Sequence, residues 1–260
     1  MKLARNLHAA VLAALCLDAG ASQYSDLWFN PAESGWGLGV VQQEETAFLT
    51  LFVYGPDGAP LWYVASDARV IAWSNPGGFP LFHGALYRTR GPWHGGGFDP
   101  AQVRAFPAGE VTLEVLGVDR ARVHYIADGV TATKELTRQT FAAVLPAGAY
   151  AGQFSLRVSD GEGPPPELRR YPARIVMEFD GGTGYMRTEA VGQSCEYRGP
   201  FTQAGKVLRF SGTYACSEGP LAAGGFAVEG LEISRNGFTG AIRMTSGTVV
   251  QRGAFAGARY

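Results

Sequence analysis

Apolar positions in this chain come in short runs that alternate with polar or small ones, as in "GLGVV" (37–41) and "AFLTLFVY" (47–54), where every second residue is a candidate for one buried face. The runs are rich in aromatic and β-branched residues, and glycine or proline interrupts them roughly every eight to twelve residues. No long stretch repeats with the 3.6-residue period of an amphipathic helix. The pattern predicts an all-β chain. The segment "AAVLPAG" (142–148) separates a strand pattern ending near Phe141 from a new one beginning at Ala149. It divides the chain into an N-terminal antiparallel β domain (22–141) and a C-terminal one (148–260). Each half, of roughly 110 to 120 residues, suits a β-barrel or β-sandwich of roughly eight short strands.

The sharpest local inference lies in "CEYRGPFTQAGKVLRFSGTYAC" (195–216). Folding this stretch about Gly205-Lys206 as a two-residue turn sets Cys195 against Cys216, Tyr197 against Tyr214, Gly199 against Gly212 and Phe201 against Phe210. Directly opposed residues bring their Cβ atoms within about 5 Å, near disulfide reach, so a Cys195–Cys216 bridge across a hairpin is predicted. Asn236-Gly237 carries a second turn signal, and reflection about it pairs Leu231 with Ile242 and Ile233 with Gly240. "GAYAG" (148–152) and "GAFAG" (253–257) are near copies at the two ends of this domain, as expected if its first and last strands lie side by side. Between them, "SDGEGPPPELRR" (159–170) has no apolar pattern and reads as an exposed, partly extended loop.

In the first domain, reflection about Glu44-Glu45 and then about the Gly55–Pro60 loop gives one face carrying Trp36, Leu38, Val40, Leu49, Leu51, Val53, Trp62 and Val64, read as the core. The other face sets Gly37 across from Phe52, Gly39 across from Thr50 and Val41 across from Phe48, and adds Tyr54 and Tyr63. Rings there lie over glycines, which let them rest flat on the strand and ease the coiling of a small barrel. Asn30-Pro31 reads as a turn into the first of these strands. Glu33 has no evident partner, and its readings are an exposed carboxylate, a cap for nearby backbone amides, or a binding group. Further strands are predicted near 81–89, 109–117, 121–127 and 130–139, the last two joined by Asp128-Gly129. The glycine-rich "GPWHGGGFDP" (91–100) presents Trp93 and His94 on a loop, where functional residues often sit.

The segments "LWFNPAESGWGLGVVQQ", "FVYGPDGAPLWYVA", "LYRTRGP", "FDP" and "TKELTRQTF", spread over residues 27–141, resemble a group of secreted proteobacterial proteins of uncharacterised function that share an N-P-x-E-S-G-W-G signature. The second domain, with "CEYRGPFTQAG" and "GTYAC", is similar to a module of the same group. The glycine that follows the paired glutamines in that group is Glu44 here, which predicts a looser first turn. The resemblance implies an exported β domain and brings no established activity.

The first 21 residues read as a secretory signal peptide: Lys2 and Arg5 form a basic start, Ala9 to Leu17 an apolar run, and Ala19-Gly20-Ala21 a cleavage site that would leave Ser22 first. Cys16 follows Leu15, too bulky for a lipid-attachment motif. Cleavage would take 22 basic and 23 acidic residues to 20 and 22, a net charge of −2 in place of −1. Such near-neutrality gives no electrostatic reason to expect nucleic acid as a partner. No later apolar run is long enough for a transmembrane helix. The two cysteines remaining after cleavage fit an oxidising compartment, so a periplasmic or extracellular location is expected.

No G-x-S-x-G elbow, H-E-x-x-H pair, C-x-x-C pair, phosphate-binding loop or EF-hand loop is present in the sequence. "GWGLG" has the wrong spacing for a dinucleotide fingerprint and opens a β run. His83, His94 and His124 are not spaced as a metal set, although His94 and Asp99 share a loop. No cofactor is expected. Glu33, Asp57, Asp67 and Asp99 would form a glycosidase pair only if the fold joined two of them in a cleft. The leading expectation is a non-catalytic binding module in which Trp36, Trp62, Tyr63, Tyr87 and Trp93, with Glu33 and His94 beside them, hold a small apolar molecule, a glycan or a protein surface. Core packing is the competing fate of each ring, expected for more than half of them. The alternatives are a hydrolase of an envelope polymer using Glu33, and an envelope-associated structural protein, including an outer-membrane barrel ending at Tyr260. Small alanines in "GAFAGARY" and the flanking Arg252 and Arg259 argue against lipid-facing strands.

Overall fold

A computed structural model describes residues 24–74, 78–141, 143–159, 167–219 and 221–260. The leading segment 1–21 and residues 160–166 of the proline-rich loop lie outside these. The described chain forms two closed antiparallel barrels of eight strands each, so the barrel, not the sandwich, is the architecture of both halves. The first holds β1 (Asp26–Phe29), β2 (Gly37–Gln43), β3 (Thr46–Tyr54), β4 (Pro60–Ser74), β5 (Phe79–Arg90), β6 (Arg104–Val115), β7 (Arg120–Ala127) and β8 (Val130–Gln139). The second holds β9 (Gly148–Ser159), β10 (Leu168–Asp180), β11 (Thr183–Ala190), β12 (Gln193–Ala204), β13 (Val207–Cys216), β14 (Ala223–Ile233), β15 (Gly237–Ser246) and β16 (Val249–Arg259). Each is a meander whose last strand pairs with its first, which removes the open sheet edges.

Period-two alternation fills both interiors. Trp28, Leu38, Leu49, Leu51, Phe82, Leu113 and Val123 pack inside the first barrel, with the Trp28 indole N–H donating to the Tyr24 carbonyl. The second is filled mainly by rings: Phe154 stacks on Phe255, and Phe238 meets both Phe255 and Tyr150. The "GAYAG" and "GAFAG" segments lie on neighbouring strands, Gly152 opposite Gly257 and Phe154 opposite Phe255, and so form the closure.

The hairpin about Gly205-Lys206 has the expected register, and Cys195 and Cys216 are joined by a disulfide with their Cα atoms 3.9 Å apart. Gly199 and Gly212 meet because the strands leave no room for a side chain: a Cβ on Gly212 would lie 2.0 Å from the Arg198 carbonyl oxygen. The next hairpin departs from expectation. Its turn is Arg235-Asn236, with Ile233 paired to Phe238, and an irregularity between Glu229 and Glu232 sets Val228, not Leu231, opposite Ile242. Gly237 serves β16 instead of the turn, since a Cβ there would fall 2.1 Å from the Gly257 carbonyl oxygen.

In the first barrel the β2–β3 register is as expected, and the turn closes tightly without a glycine. Glu44 takes a left-handed φ of 53°, and the Gln42 side chain donates to its carbonyl at 2.7 Å. The β3–β4 hairpin is slipped by one residue from expectation. Tyr54 pairs with Pro60 across the Gly55–Ala59 loop, so Phe52 faces Trp62 and Leu51 faces Tyr63. A one-residue slip exchanges the two faces of a strand. Leu61, Tyr63 and Ala65 therefore turn inward, while Trp62 is 56% exposed and Val64 faces outward.

The barrels are tied together at one end of each. The Arg138 side chain is fully buried, donating to Asp26 at 2.8 Å and to Glu232 of the second barrel at 3.2 Å. Lys206 bridges the same two carboxylates, and Arg209 pairs with Asp119. The opposite mouth of each barrel is left facing away from this junction.

Candidate functional site at the first barrel

The N-P-x-E-S-G-W segment forms a latch at the far mouth of the first barrel. Asn30 accepts from the Ala32 amide at 2.9 Å and caps a short 3-10 turn, Pro31–Glu33, whose first position suits proline. The turn places the Glu33 carboxylate to accept from the Trp36 indole N–H at 3.1 Å and from Lys134 of β8 at 2.7 and 2.9 Å. Lys134 also lies 5.9 Å from the centre of the Trp36 ring, and Trp36, half-buried, packs against the core. Lys134 was missed in the sequence because it is more than a hundred positions from Glu33 and adjoins it only when β8 closes on β1. The Lys134 hydrogen bond holds the Glu33 carboxyl below its usual range, with Trp36 adding to the effect. A general acid requires the opposite shift.

Other candidate carboxylates are engaged locally. Asp57 accepts from the Ala59 amide, Asp67 pairs with Arg69, and Asp99 caps a second 3-10 turn through the Ala101 amide. Trp93 is 73% exposed, with His94 edge-on to it at 6.1 Å. His83 and His124 stand in one outward row, each hydrogen bonded to a threonine, Thr112 and Thr133. Among the described residues, no group of three or more His, Cys, Asp or Glu could hold a metal ion.

Of the five candidate rings, only Tyr63 is buried. Trp36 and Tyr87 are half-buried, and Trp62 and Trp93 are exposed, so core packing claims fewer than expected. Tyr63 donates its hydroxyl to Asp128 at 2.9 Å, and Arg88 donates to the same oxygen at 3.0 Å. Burial first, and then Asp128, push the Tyr63 phenol up to about 12.

Trp62 instead joins an outward apolar face that spans β1 to β5. The register lines up Gly37, Phe52 and Trp62 in one row, and Leu27, Gly39, Thr50, Val64 and Tyr87 in the next, with Val41 beside Phe48 beyond them. Phe48, Phe52, Tyr54, Leu27 and Val41 are all more than two-fifths exposed. Gly39 lies under a ring as expected, since a Cβ there would sit 3.7 Å from the Phe52 ring, whereas Gly37 instead meets backbone, its Cβ position lying 3.0 Å from the Trp28 carbonyl oxygen. Gly35, 3.9 Å from Tyr54 by the same measure, is a second glycine beside a ring. The opposite wall, β6 to β8, is mainly polar, with Phe106 and Val130 its exposed large apolar residues among those described. There Arg122 bridges Glu114 at 3.1 Å and Glu135 at 2.6 Å, and the histidine–threonine row runs alongside. The first barrel thus has an apolar interior and a two-sided exterior.

No protein-family model matches the chain, and no curated protein matches it in sequence.

Proposed function

We propose that the protein is an exported, non-catalytic binding module whose first barrel docks a partner protein on the outer face of β1 to β5. The observation that carries this reading is the division of one barrel's exterior into an aromatic and aliphatic wall and a wall of paired charges. A contiguous exposed apolar surface marks an interaction site, and aromatic anchors among aliphatic side chains are the composition of a protein interface core. Leu27, Val41 and Val64, set among the rings, suit a protein surface better than a glycan. A flat wall does not enclose a small molecule. Because both barrels are closed, a partner gains its contacts from side chains and not by adding a strand. The charged wall and the packed apolar interior invert the pattern of a lipid-facing barrel. The Cys195–Cys216 disulfide is consistent with an oxidising compartment, and export through the leading segment completes the reading.

The test is site-specific photo-cross-linking in cells that express the chain with its own leader. A benzoylphenylalanine replacing Phe48 should give a discrete protein adduct that Trp62→Ala abolishes, whereas one replacing His124 on the polar wall should give none. Absence of any adduct at Phe48 and at Phe52 would overturn the reading, and retention on insoluble cell-wall polymer with no protein adduct would transfer the face to a glycan. A mass beginning at Ser22 in the exported fraction checks the leader.

A further inference from the structure

The far mouth of the second barrel, remote from the face just described, holds a chamber of about 230 Å³. Its walls are mostly apolar, built from Phe154, Leu156, Tyr197, Met244 and the Cys195–Cys216 bridge, with Thr188, Gln193 and Gln251 adding polar side chains. Two features depart from a packed core. The Tyr214 hydroxyl is buried among these groups, with Ser246 beside it, and makes no hydrogen bond of good geometry. A buried hydroxyl left in that state is costly unless something fills its place. The second feature is Arg169, which shares its inward-facing register with Leu156 on β9 and with Tyr171 and Ala173 along β10. Past the last layer of packed rings it reaches the rim of the chamber, where it is the one charged residue among the described residues of the lining.

We propose that this chamber binds a small, mostly apolar molecule with a single carboxylate head, an aryl acid or a short-chain fatty acid. A dry apolar cavity of about 150 Å³ accepts benzene, so 230 Å³ leaves room for a ring with a substituent or for a short alkyl chain. The tail lies against Phe154, Leu156 and Met244, the head turns to the rim, Tyr214 donates its hydroxyl to one carboxylate oxygen, and Arg169 supplies the positive charge. The apolar side chains select the tail, and Tyr214 and Arg169 select the head.

The chain supplies its own reporters. Beyond Met1, its methionines are Met177, Met186 and Met244, all within the second barrel, and only Met244 lines the chamber. Methyl-labelled methionine should therefore show, on titration with phenylacetate or octanoate, a saturable shift of the Met244 methyl with little change at Met177 and Met186. Tyr214→Phe should keep the Met177 and Met186 signals, which certifies the fold, while weakening affinity roughly tenfold, the usual worth of one hydrogen bond to a charged group. Arg169→Gln should erase the preference for phenylacetate over neutral phenylacetamide. The proposal is overturned if neither acid moves Met244 saturably. It is equally overturned if the shift survives both substitutions unchanged.

Discussion

Arg138, near the end of the first barrel's last strand, donates to Glu232 of the second barrel at 3.2 Å while its side chain is fully buried. Asp26 at 2.8 Å and the bridging Lys206 complete a four-charge junction, in which one oxygen of Glu232 is buried without a hydrogen bond. Charges removed from water in this way are tolerable only as a set. Arg138→Met should leave Asp26 and Glu232 facing a single cation and cost about 3 to 5 kcal/mol. Denaturant unfolding checks it: one cooperative transition should split into two as the barrels lose their coupling.

Neighbouring residues on β4 should behave oppositely. Tyr63 is 4% exposed and Trp62 56%. Tyr63→Ala should destabilise the first barrel by about 3 to 5 kcal/mol through the cavity left behind. Trp62→Ala should change stability by less than about 1 kcal/mol and remove the cross-link to a partner. Paired thermal melts of the two variants decide the register directly.

At high pH the buried phenols should govern stability. Tyr63 and Tyr197 are both pushed up to about 12, in each case mainly by burial. A raised folded value means that the neutral form is favoured in the native state, so their contribution is whole below the ordinary tyrosine value of 10 and is lost as pH rises through about 12. Melting temperature should fall over that window, and Tyr63→Phe should flatten the fall. Phenolate absorbance should show two tyrosines that ionise only as the protein unfolds.

Glu33 acts on the acid side. Its folded value is lowered by Lys134, so its contribution is present above the ordinary carboxylate range and fades as pH falls through the folded value. The pair is exposed, and Glu33→Gln should leave the barrel folded with only a small loss of stability. The Trp36 indole N–H resonance, which reports the hydrogen bond, should move in Glu33→Gln and in wild type on acidification.

Replacing Cys195 and Cys216 together by serine should cost on the order of 3 kcal/mol, the value expected when a loop of about twenty residues is released. The loss should fall on the second barrel. Because the bridge forms part of the chamber wall, the Met244 methyl signal should shift while core signals of the first barrel stay in place.

Where a turn of fixed length joins two patterned strands, the sequence alone determined the pairing. Cys195 opposite Cys216, Gly37 opposite Phe52, and the Asp128-Gly129 hairpin follow from local turn chemistry and period-two alternation, and so does the all-β class. Longer loops and irregularities broke that inference. Five residues between Tyr54 and Pro60 allow registers that differ by one, and the β14 irregularity near Gly230 shifts the partner of Ile242, because neither leaves a mark in the alternation of its own strand. The two faces of β4 carry similar residues, Trp62 and Val64 on one and Leu61 and Tyr63 on the other, so hydrophobicity did not choose between them; the tertiary structure sets Tyr63 inward, where its hydroxyl meets Asp128 beside Arg88. Closure of the first barrel was equally beyond local reading, whereas the matching GAYAG and GAFAG segments marked it in the second. Only when β8 meets β1 does Lys134 reach Glu33, and only when the barrels meet does Arg138 find Glu232, since contacts between distant segments are set by the summed geometry of every strand between them.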